Sequence, residues 1–285
     1  MSRANDNTGF FYTLPALLVL MFIVVVPIMV VVNYSVQDVF SGNIFIWAGS
    51  GWFEKTLTSP EFWATLGRSA LFTSLVLAVE IPLGVLIALK IPKSGWMATF
   101  YIIVMAIPLL IPWFVVGLIW KVFADPAIGP LGGALAGLTD AYDLNNPFVA
   151  WMVILLVDVW HWTGLVVLLS YAGLVAIPEA LYQASRIDGA SRGAIFRYVE
   201  LPRLRHVLLI AVLLRLTDSL MIYIEPFMIT RGGPGTSTTF LSMDLIQTAM
   251  YQFDFGEASA SALIYVLIML TLSWALFSAL MKRHD

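Results

Sequence analysis

The sequence predicts an all-α membrane protein, a polytopic bundle of about six transmembrane helices in which residues 1–285 form a single domain. The first observation is composition, because 60% of the 285 residues are hydrophobic and 12% are charged. Soluble globular domains average about 45–50% apolar and about 25% charged residues. The second is the recurrence of apolar runs of about 20 residues, the length at which a helix crosses a bilayer. The third is that basic residues gather in alternate connections between these runs.

Six apolar segments have the length of a transmembrane helix. We place them at residues 12–32, 67–89, 98–123, 148–174, 207–230 and 258–281. The first is too long for the apolar region of a signal peptide, and no small-x-small cleavage site closes it, so we expect a retained helix. The third contains Pro108 and Pro112. We expect a kink there, because a proline inside a helix removes a backbone hydrogen bond.

The longer connections differ in composition. Residues 33–66 are rich in tryptophan and phenylalanine, which is typical of a membrane interface. Residues 124–147 are rich in glycine, lack Lys and Arg, and contain Asp125, Asp140 and Asp143, which indicates an external loop. The connection before the last segment begins as a glycine turn and continues as an amphipathic stretch.

The distribution of Lys and Arg predicts the orientation. With the amino terminus inside the cell, ten of the 15 basic residues lie on the inner side: Arg3, Lys90, Lys93, Arg186, Arg192, Arg197, Arg203, Arg205, Lys282 and Arg283. Four lie outside, namely Lys55, Arg68, Lys121 and Arg231, and Arg215 lies within a span. Because cytoplasmic loops carry the excess of Lys and Arg, both termini and the loop at residues 178–202 are predicted to be cytoplasmic.

This loop, residues 178–202, is the longest strongly polar run between two apolar segments. Pro178 suits the first position of a helix, Gly189 provides a flexible break, Ser191 can cap a second helix and Pro202 can end it. The pattern predicts a helix, a turn and a second helix.

The same loop resembles the EAA loop of permease subunits of bacterial binding-protein-dependent ABC importers. The family pattern is E-A-A, three residues, G, nine residues, I-x-L-P, and the matching positions here are Gln183, Ala184, Ser185, Gly189, Val199, Leu201 and Pro202. Two positions depart from it, since Gln183 stands where the family has Glu and Ser185 where it has Ala. The flanking IPEALYQASRIDGAS is similar to the carbohydrate-uptake branch, the maltose and glycerol-phosphate type.

The resemblance implies the fold of a type I importer permease and a set of partners. They are a second related permease, two ATPase subunits that bind ATP and Mg²⁺, and a periplasmic or extracellular solute-binding protein, with the chain itself in the bacterial inner membrane and binding no cofactor. The first helix of the loop would be the coupling helix that docks on the ATPase, with the residues Leu181, Gln183, Ala184, Ser185, Ile187, Asp188 and Gly189. The implied solute is a sugar, polyol, glycerol or glycerol phosphodiester, and the runs IEPFMITRGGPG and TTFLSMDLIQTAMYQFDFG are most similar to the glycerol or polyol type.

Ionisable residues inside apolar spans are candidates for a solute path, since each should face a partner or a cavity. In the fifth span Arg215, Asp218, Ile222 and Glu225 follow helical spacing, which predicts one stripe. Pro226 would free the Ile222 carbonyl beside Glu225 as an acceptor. Alternatively, Arg215 and Asp218 pair with each other and hold the bundle together.

Three further candidates lie in the fourth span and one in the second. Asp158, His161 and Trp162 fall within one turn, where an aromatic face and two polar groups could bind a polyol. Alternatively, Asp158 and His161 bond to each other for packing. Glu80 is either part of the path or a buried neutral carboxyl group.

Other classes of function find little support. The sequence has no GxxxxGK[ST] loop for ATP and no cysteine, and Asp158 with His161 are too few ligands for a metal. We therefore expect a non-catalytic subunit that moves a sugar or polyol, with ATP hydrolysed elsewhere. The alternative is a secondary transporter or channel that needs no ATPase.

Overall fold

The computed structural model describes residues 6–40, 44–139 and 141–281, and these are mainly helical. The helices are α1 (Asp6–Tyr34), α2 (Gly51–Thr58), α3 (Pro60–Ala88), α4 (Trp96–Leu110), α5 (Trp113–Phe123), α6 (Pro130–Leu138), α7 (Pro147–Val175), α8 (Glu179–Ile187), α9 (Arg192–Ile195), α10 (Leu201–Leu220), α11 (Ile224–Ile229), α12 (Leu241–Met250) and α13 (Phe255–Met281). Arg3, Asp140, Lys282 and Arg283, used above to predict the topology, lie outside the described residues.

Among the described residues, five helical segments are long and apolar enough to cross a membrane: Tyr12–Tyr34, Pro60–Ala88, Pro147–Val175, Arg192–Ile229 and Phe255–Ala279. A sixth candidate is the pair α4 and α5, which bend by 94° where they meet. The predicted class, an all-α protein with about six spans, is confirmed. The single-domain organisation and the exact span limits stay predictions.

The kink expected in the third span is a complete break of the helix. Helix α4 ends at Leu110, Ile111 is extended, and Pro112 precedes α5. A proline disfavours the helical conformation of the residue before it, which accounts for the extended backbone of Ile111. The last turn of α4 is closed by the Ile111 N–H, which donates to the Pro108 carbonyl at 3.1 Å.

The fifth span is continuous with the second helix of the polar loop. Residues of α9, a π-helical turn (Phe196–Glu200) and α10 follow one another without interruption. The prediction that Pro202 ends the helix was wrong. The Leu201 N–H donates to the Phe196 carbonyl five residues earlier, and this wider turn lets the helix continue past a proline that lacks an N–H.

The chain divides into two compact units. The first comprises Met1–Trp63 and Leu245–Ile268, and it holds an antiparallel hairpin of β1 (Gln37–Phe40) and β2 (Ile44–Trp47). The Trp52 indole donates to the Gln37 carbonyl at 3.2 Å. Close packing here depends on Gly256, because a Cβ at that position would lie 2.5 Å from the Gln37 carbonyl oxygen.

The second unit comprises Ala64–Asp244 and Met269–Asp285 and is built around α7. Buried residues occur along the whole length of α7, as expected for a helix surrounded by others. Helices α4 and α7 approach closely at Gly164, where an added Cβ would lie 2.0 Å from the Met105 carbonyl oxygen. A small residue at such a crossing allows two membrane helices to touch backbone to backbone.

Candidate functional site

The centre of the second unit is an ion cluster around Arg215 of α10, whose side chain is fully buried. Its Nε donates to Glu80 Oε2 of α3 at 2.7 Å, and its Nη2 donates to Asp158 Oδ2 of α7 at 2.5 Å. Its Nη2 also reaches Glu80 Oε1 at 3.2 Å, and its Nη1 donates to Asp218 one turn along α10. One guanidinium therefore joins three helices.

The cluster contains three carboxyl groups for one cation. Glu80 is fully buried and Asp158 is buried, whereas the Asp218 side chain is 31% exposed. A planar guanidinium with five donors can serve several carboxylates at once, which an ammonium cannot do with the same geometry. Because the guanidinium is occupied, it is not free to bind an anionic ligand.

The structure decides between two of the alternatives left open by the sequence. Arg215 and Asp218 do pair, but as part of the larger cluster. Asp158 and His161 do not bond to each other, so the structure does not support that alternative. The Asp158 carboxylate faces the cation instead, and a charge-assisted bond is stronger than one to a neutral imidazole.

His161 is buried beside the cluster without a hydrogen bond. Neither of its ring nitrogens has a partner within the described part of the chain. Its ring lies edge-on to Trp162, with centroids 5.1 Å apart. The His161 side chain therefore packs against Trp162 and makes no hydrogen bond in the described part of the chain.

A cavity of about 280 Å³ lies next to the cluster and contains several of the predicted path residues. It is lined by Trp113, Asp158, Trp162, Asp218, Met221, Ile222, Tyr223, Ile224 and Glu225. Trp162, one of the lining residues, also contacts the cation, with Arg215 Cζ 4.7 Å from the ring centroid. Glu80, His161 and Arg215 are not among the lining residues, so they stand behind the cavity wall.

The predicted stripe on the fifth span is interrupted, which corrects the expectation of one continuous helix. Helix α10 ends at Leu220 and α11 begins at Ile224. The carbonyl of Ile222, which Pro226 would leave without its helical donor, accepts a hydrogen bond from the Ser242 hydroxyl. It is therefore not the free acceptor that the sequence indicated.

Glu225, one of the predicted path residues, lies at the cavity and is 6% exposed. Its carboxylate accepts a hydrogen bond from the backbone N–H of its own residue. Since a carboxylate has two oxygens and about four acceptor positions, it can also accept from a hydroxyl group of a ligand.

Sequence reasoning missed Trp113 and Tyr223 as lining residues. Both lie at a helix break, Trp113 directly after Pro112 and Tyr223 directly before α11. Pro112 and Pro226, beside and just after these breaks, were the signal that could have identified them, because a proline interrupts the hydrogen bonding of a helix. Within the described ranges no three metal-binding side chains are arranged to hold an ion.

The predicted coupling residues lie on α8 and the turn after it. Gln183, Ala184, Asp188 and Gly189 are exposed, as is Ile187, whose side chain is 86% exposed; Leu181 and Ser185 are half-buried. Gly189 has φ +70° and forms the turn, and the Ser191 hydroxyl accepts from the Ala194 N–H at 3.3 Å, as a helix cap does.

The family of this chain follows from comparison with known proteins. Residues 80–284 match the model of the binding-protein-dependent transport system inner membrane component. The chain belongs to this family. The resemblance recognised in the polar loop is thereby confirmed, and the protein is a multi-pass inner membrane permease.

Curated relatives of this permease cover nearly its whole length. The trehalose/maltose transport system permease protein of Thermococcus litoralis is 30% identical over 92% of this chain and 90% of its own length. The sulfoquinovosyl glycerol transport system permease protein of Agrobacterium fabrum is 29% identical, over 95% and 89%. A probable ABC transporter permease of Sinorhizobium fredii is 29% identical, over 99% and 94%.

Solved structures show the same fold. The permease resembles a chain of a bacterial ABC transporter involved in the import of the acidic polysaccharide alginate, with a TM-score of 0.83, 18% identity, and coverage of 98% of this chain and 97% of that one. A second structure of a bacterial alginate ABC transporter, in complex with an alginate pentasaccharide-bound periplasmic protein, has a TM-score of 0.78, 19% identity and coverage of 95% and 93%.

Proposed function

We propose that this permease is the translocation subunit of an ATP-driven importer that brings an uncharged sugar or polyol into the cell. The observation that carries the proposal is the cavity beside Arg215, which is lined by two tryptophan rings and by carboxyl groups of α7, α10 and α11. It would be a solute-binding site on the path.

The chemistry of the lining suits a polyhydroxy compound. The rings of Trp113 and Trp162 lie 6.1 Å apart and offer apolar faces for the carbon skeleton of a sugar. Asp158, Asp218 and Glu225 offer acceptors for hydroxyl groups. A phosphorylated or sulfonated solute would meet this acidic lining unfavourably, because the nearby guanidinium is already engaged by Glu80 and its neighbours.

The size of the cavity favours a small solute. Ligand pockets commonly measure about 300–1,000 Å³, and this one, at about 280 Å³, is near the lower end. A glycerol-like polyol is therefore the solute that we propose, within a wider class of neutral sugars. The names of the relatives, which include trehalose, maltose and sulfoquinovosyl glycerol, support a carbohydrate solute. Because a sulfoquinovosyl group carries a sulfonate, the preference for a neutral solute is argued from the acidic lining alone.

The exposed face of α8 is the surface proposed to receive the ATPase. In this arrangement a second permease completes the pathway, two ATPase subunits bind ATP and Mg²⁺, and an external binding protein delivers the solute, with both termini in the cytoplasm. Gln183 would contact the ATPase through its amide. Transport requires that nucleotide and solute bind the inward- and outward-facing states with different affinities, because otherwise neither shifts the equilibrium.

The test is uptake by the complex, purified with its partners and reconstituted into vesicles. Uptake is measured for labelled glycerol, a neutral disaccharide and glycerol phosphate. Each measurement is made once with ATP and once with ADP supplied on the side that α8 faces. We expect uptake of a neutral solute with ATP only. Uptake that is independent of ATP and is abolished by a proton ionophore would identify a secondary transporter instead, and uptake of glycerol phosphate alone would refute the preference for a neutral solute.

A further inference from the structure

A second buried carboxylate lies far from the Arg215 cluster, at the base of the coupling loop. Glu200, the last residue of the π-helical turn, is 3% exposed. Its Oε1 accepts from the Tyr182 hydroxyl of α8 at 3.2 Å, and its Oε2 accepts from Arg192 Nη1 of α9 at 2.7 Å. One carboxylate therefore joins both helices of the loop.

Its place in the chain connects this contact to the solute site. Glu200 and Arg215 belong to the same uninterrupted helical run that begins with α9 and ends with α10. Fifteen residues of helix separate them, which is about 22 Å at 1.5 Å per residue. The run is thus fastened to α8 at one end and to α3 and α7, through Arg215, at the other.

The ion pairs at α8 are exposed. Lys93, in the loop between α3 and α4, pairs with Glu179 of α8 at 3.3 Å, and Arg186 pairs with Glu179 within α8 at 4.0 Å, with all three side chains about half exposed or more. Exposed pairs of this kind contribute little and are screened by salt. The Tyr182–Glu200 bond, by contrast, is a buried polar contact between α8 and the helical run, whereas Arg192 bonds to Glu200 within that run.

The state of Tyr182 agrees with a persistent bond. Burial, together with the adjacent negative charge of Glu200, raises the pKa of the Tyr182 hydroxyl to about 12. The hydroxyl therefore keeps its proton and remains a donor at any physiological pH. The ammonium group of Lys93 also lies 3.5 Å from the centroid of the Tyr182 ring and holds the ring against the loop between α3 and α4.

We propose that Glu200 is a positioning residue that transmits displacement of α8 to α10 and hence to the Arg215 cluster. A movement of α8 would pull on the Tyr182 hydroxyl, and the carboxylate would pass that movement to the π-helical turn. π turns inside helices occur frequently at functional sites. The inference rests on the proposed function, since it assumes that an ATPase moves α8.

The test uses the complete complex with Tyr182→Phe, which removes one hydroxyl, and Glu200→Gln, which removes the charge. Tyr198→Phe and Glu179→Gln are matched controls, because Tyr198 is exposed on the same π turn and Glu179 makes only exposed pairs. We expect Tyr182→Phe to leave ATP hydrolysis within twofold of the unmodified complex and to lower the solute moved per ATP at least threefold. A merely structural contact would lower the melting temperature and reduce transport and hydrolysis in proportion, and an unchanged ratio would overturn the proposal.

A second readout separates this inference from the solute assignment. The chain has no cysteine, so Thr217→Cys, in the groove beside Arg215, provides a single thiol in this subunit. We expect ATP to change its rate of alkylation in the unmodified background and not in Tyr182→Phe. If the ATP effect persists in Tyr182→Phe, the positioning role is refuted. If ATP changes alkylation but no tested solute is transported, the solute proposal fails. The positioning role is then still decided by comparing alkylation with and without Tyr182→Phe.

Discussion

At the scale of single residues, the dominant feature is a guanidinium buried among carboxylates in a membrane protein. An ionised side chain at the centre of a transmembrane helix costs about 2.5–3.5 kcal/mol on insertion scales. Arg215 offsets this cost by donating to Glu80, Asp158 and Asp218. The three carboxyl groups also require Arg215, because without its positive charge they would repel one another.

Replacing Arg215 by glutamine should therefore destabilise the protein severely. Breaking a buried ion pair by removing one partner costs about 3–5 kcal/mol. We expect Arg215→Gln to lower the free energy of unfolding in detergent by about that amount. Arg203→Gln is the control, since Arg203 is exposed on the same helix. Equal stability of the two variants would show that the cluster does not hold the helices together.

Glu225 should matter for uptake and not for assembly. A hydrogen bond to a charged group contributes about 1.5–3 kcal/mol, so Glu225→Gln should weaken solute binding about tenfold or more. The measurement is the concentration dependence of ATP-driven uptake, with copurification of partner subunits to check assembly. The control is Glu54→Gln, at an exposed site on α2. Unchanged uptake kinetics would remove Glu225 from the solute path.

At the scale of elements, breaks in the helices form both the cavity and the turn of the coupling loop. The break between α4 and α5 and the break between α10 and α11 bring Trp113 and Tyr223 to the cavity. The turn between α8 and α9 depends on Gly189 instead, whose φ of +70° is unfavourable for residues with a Cβ.

Gly189→Ala should loosen the coupling between hydrolysis and transport. A left-handed conformation costs an L residue about 1–2 kcal/mol, so the turn would relax and shift α8. We expect the solute moved per ATP to fall while the membrane bundle stays folded. Gly193→Ala is the matched substitution, because Gly193 lies in helical α9 with open space around it and should be neutral. If both variants transport normally per ATP, the assignment of this turn to coupling is wrong.

At the scale of the whole molecule, the absence of native cysteine makes the orientation directly measurable. Single cysteines can be placed at Ser94, between α3 and α4, and at Ala127, between α5 and α6, both of which are exposed. We expect an impermeant thiol reagent to label Ala127→Cys from outside intact cells and Ser94→Cys only after permeabilisation, because basic residues flank the latter. The reverse pattern would place α8 outside the cell and remove the ATPase from the proposal.

The sequence determined the class with about six apolar spans, the polar loop and the family. Hydropathy and charge are sums over neighbouring residues, and the motif around Gly189 is a local spacing, so none of them requires knowledge of distant contacts. The acidic residues in the spans were also identifiable one by one, since each is unusual in lipid.

Only the tertiary structure decided which of these residues meet. Glu80 and Arg215 are 135 positions apart in the sequence and Asp158 and Arg215 are 57 apart, and no periodicity relates residues on three different helices. The same applies to Tyr182 and Glu200, which meet because the chain reverses at Gly189. A buried charge needs partners, and those partners come from the helices packed beside it. The sequence does not specify which helices these are.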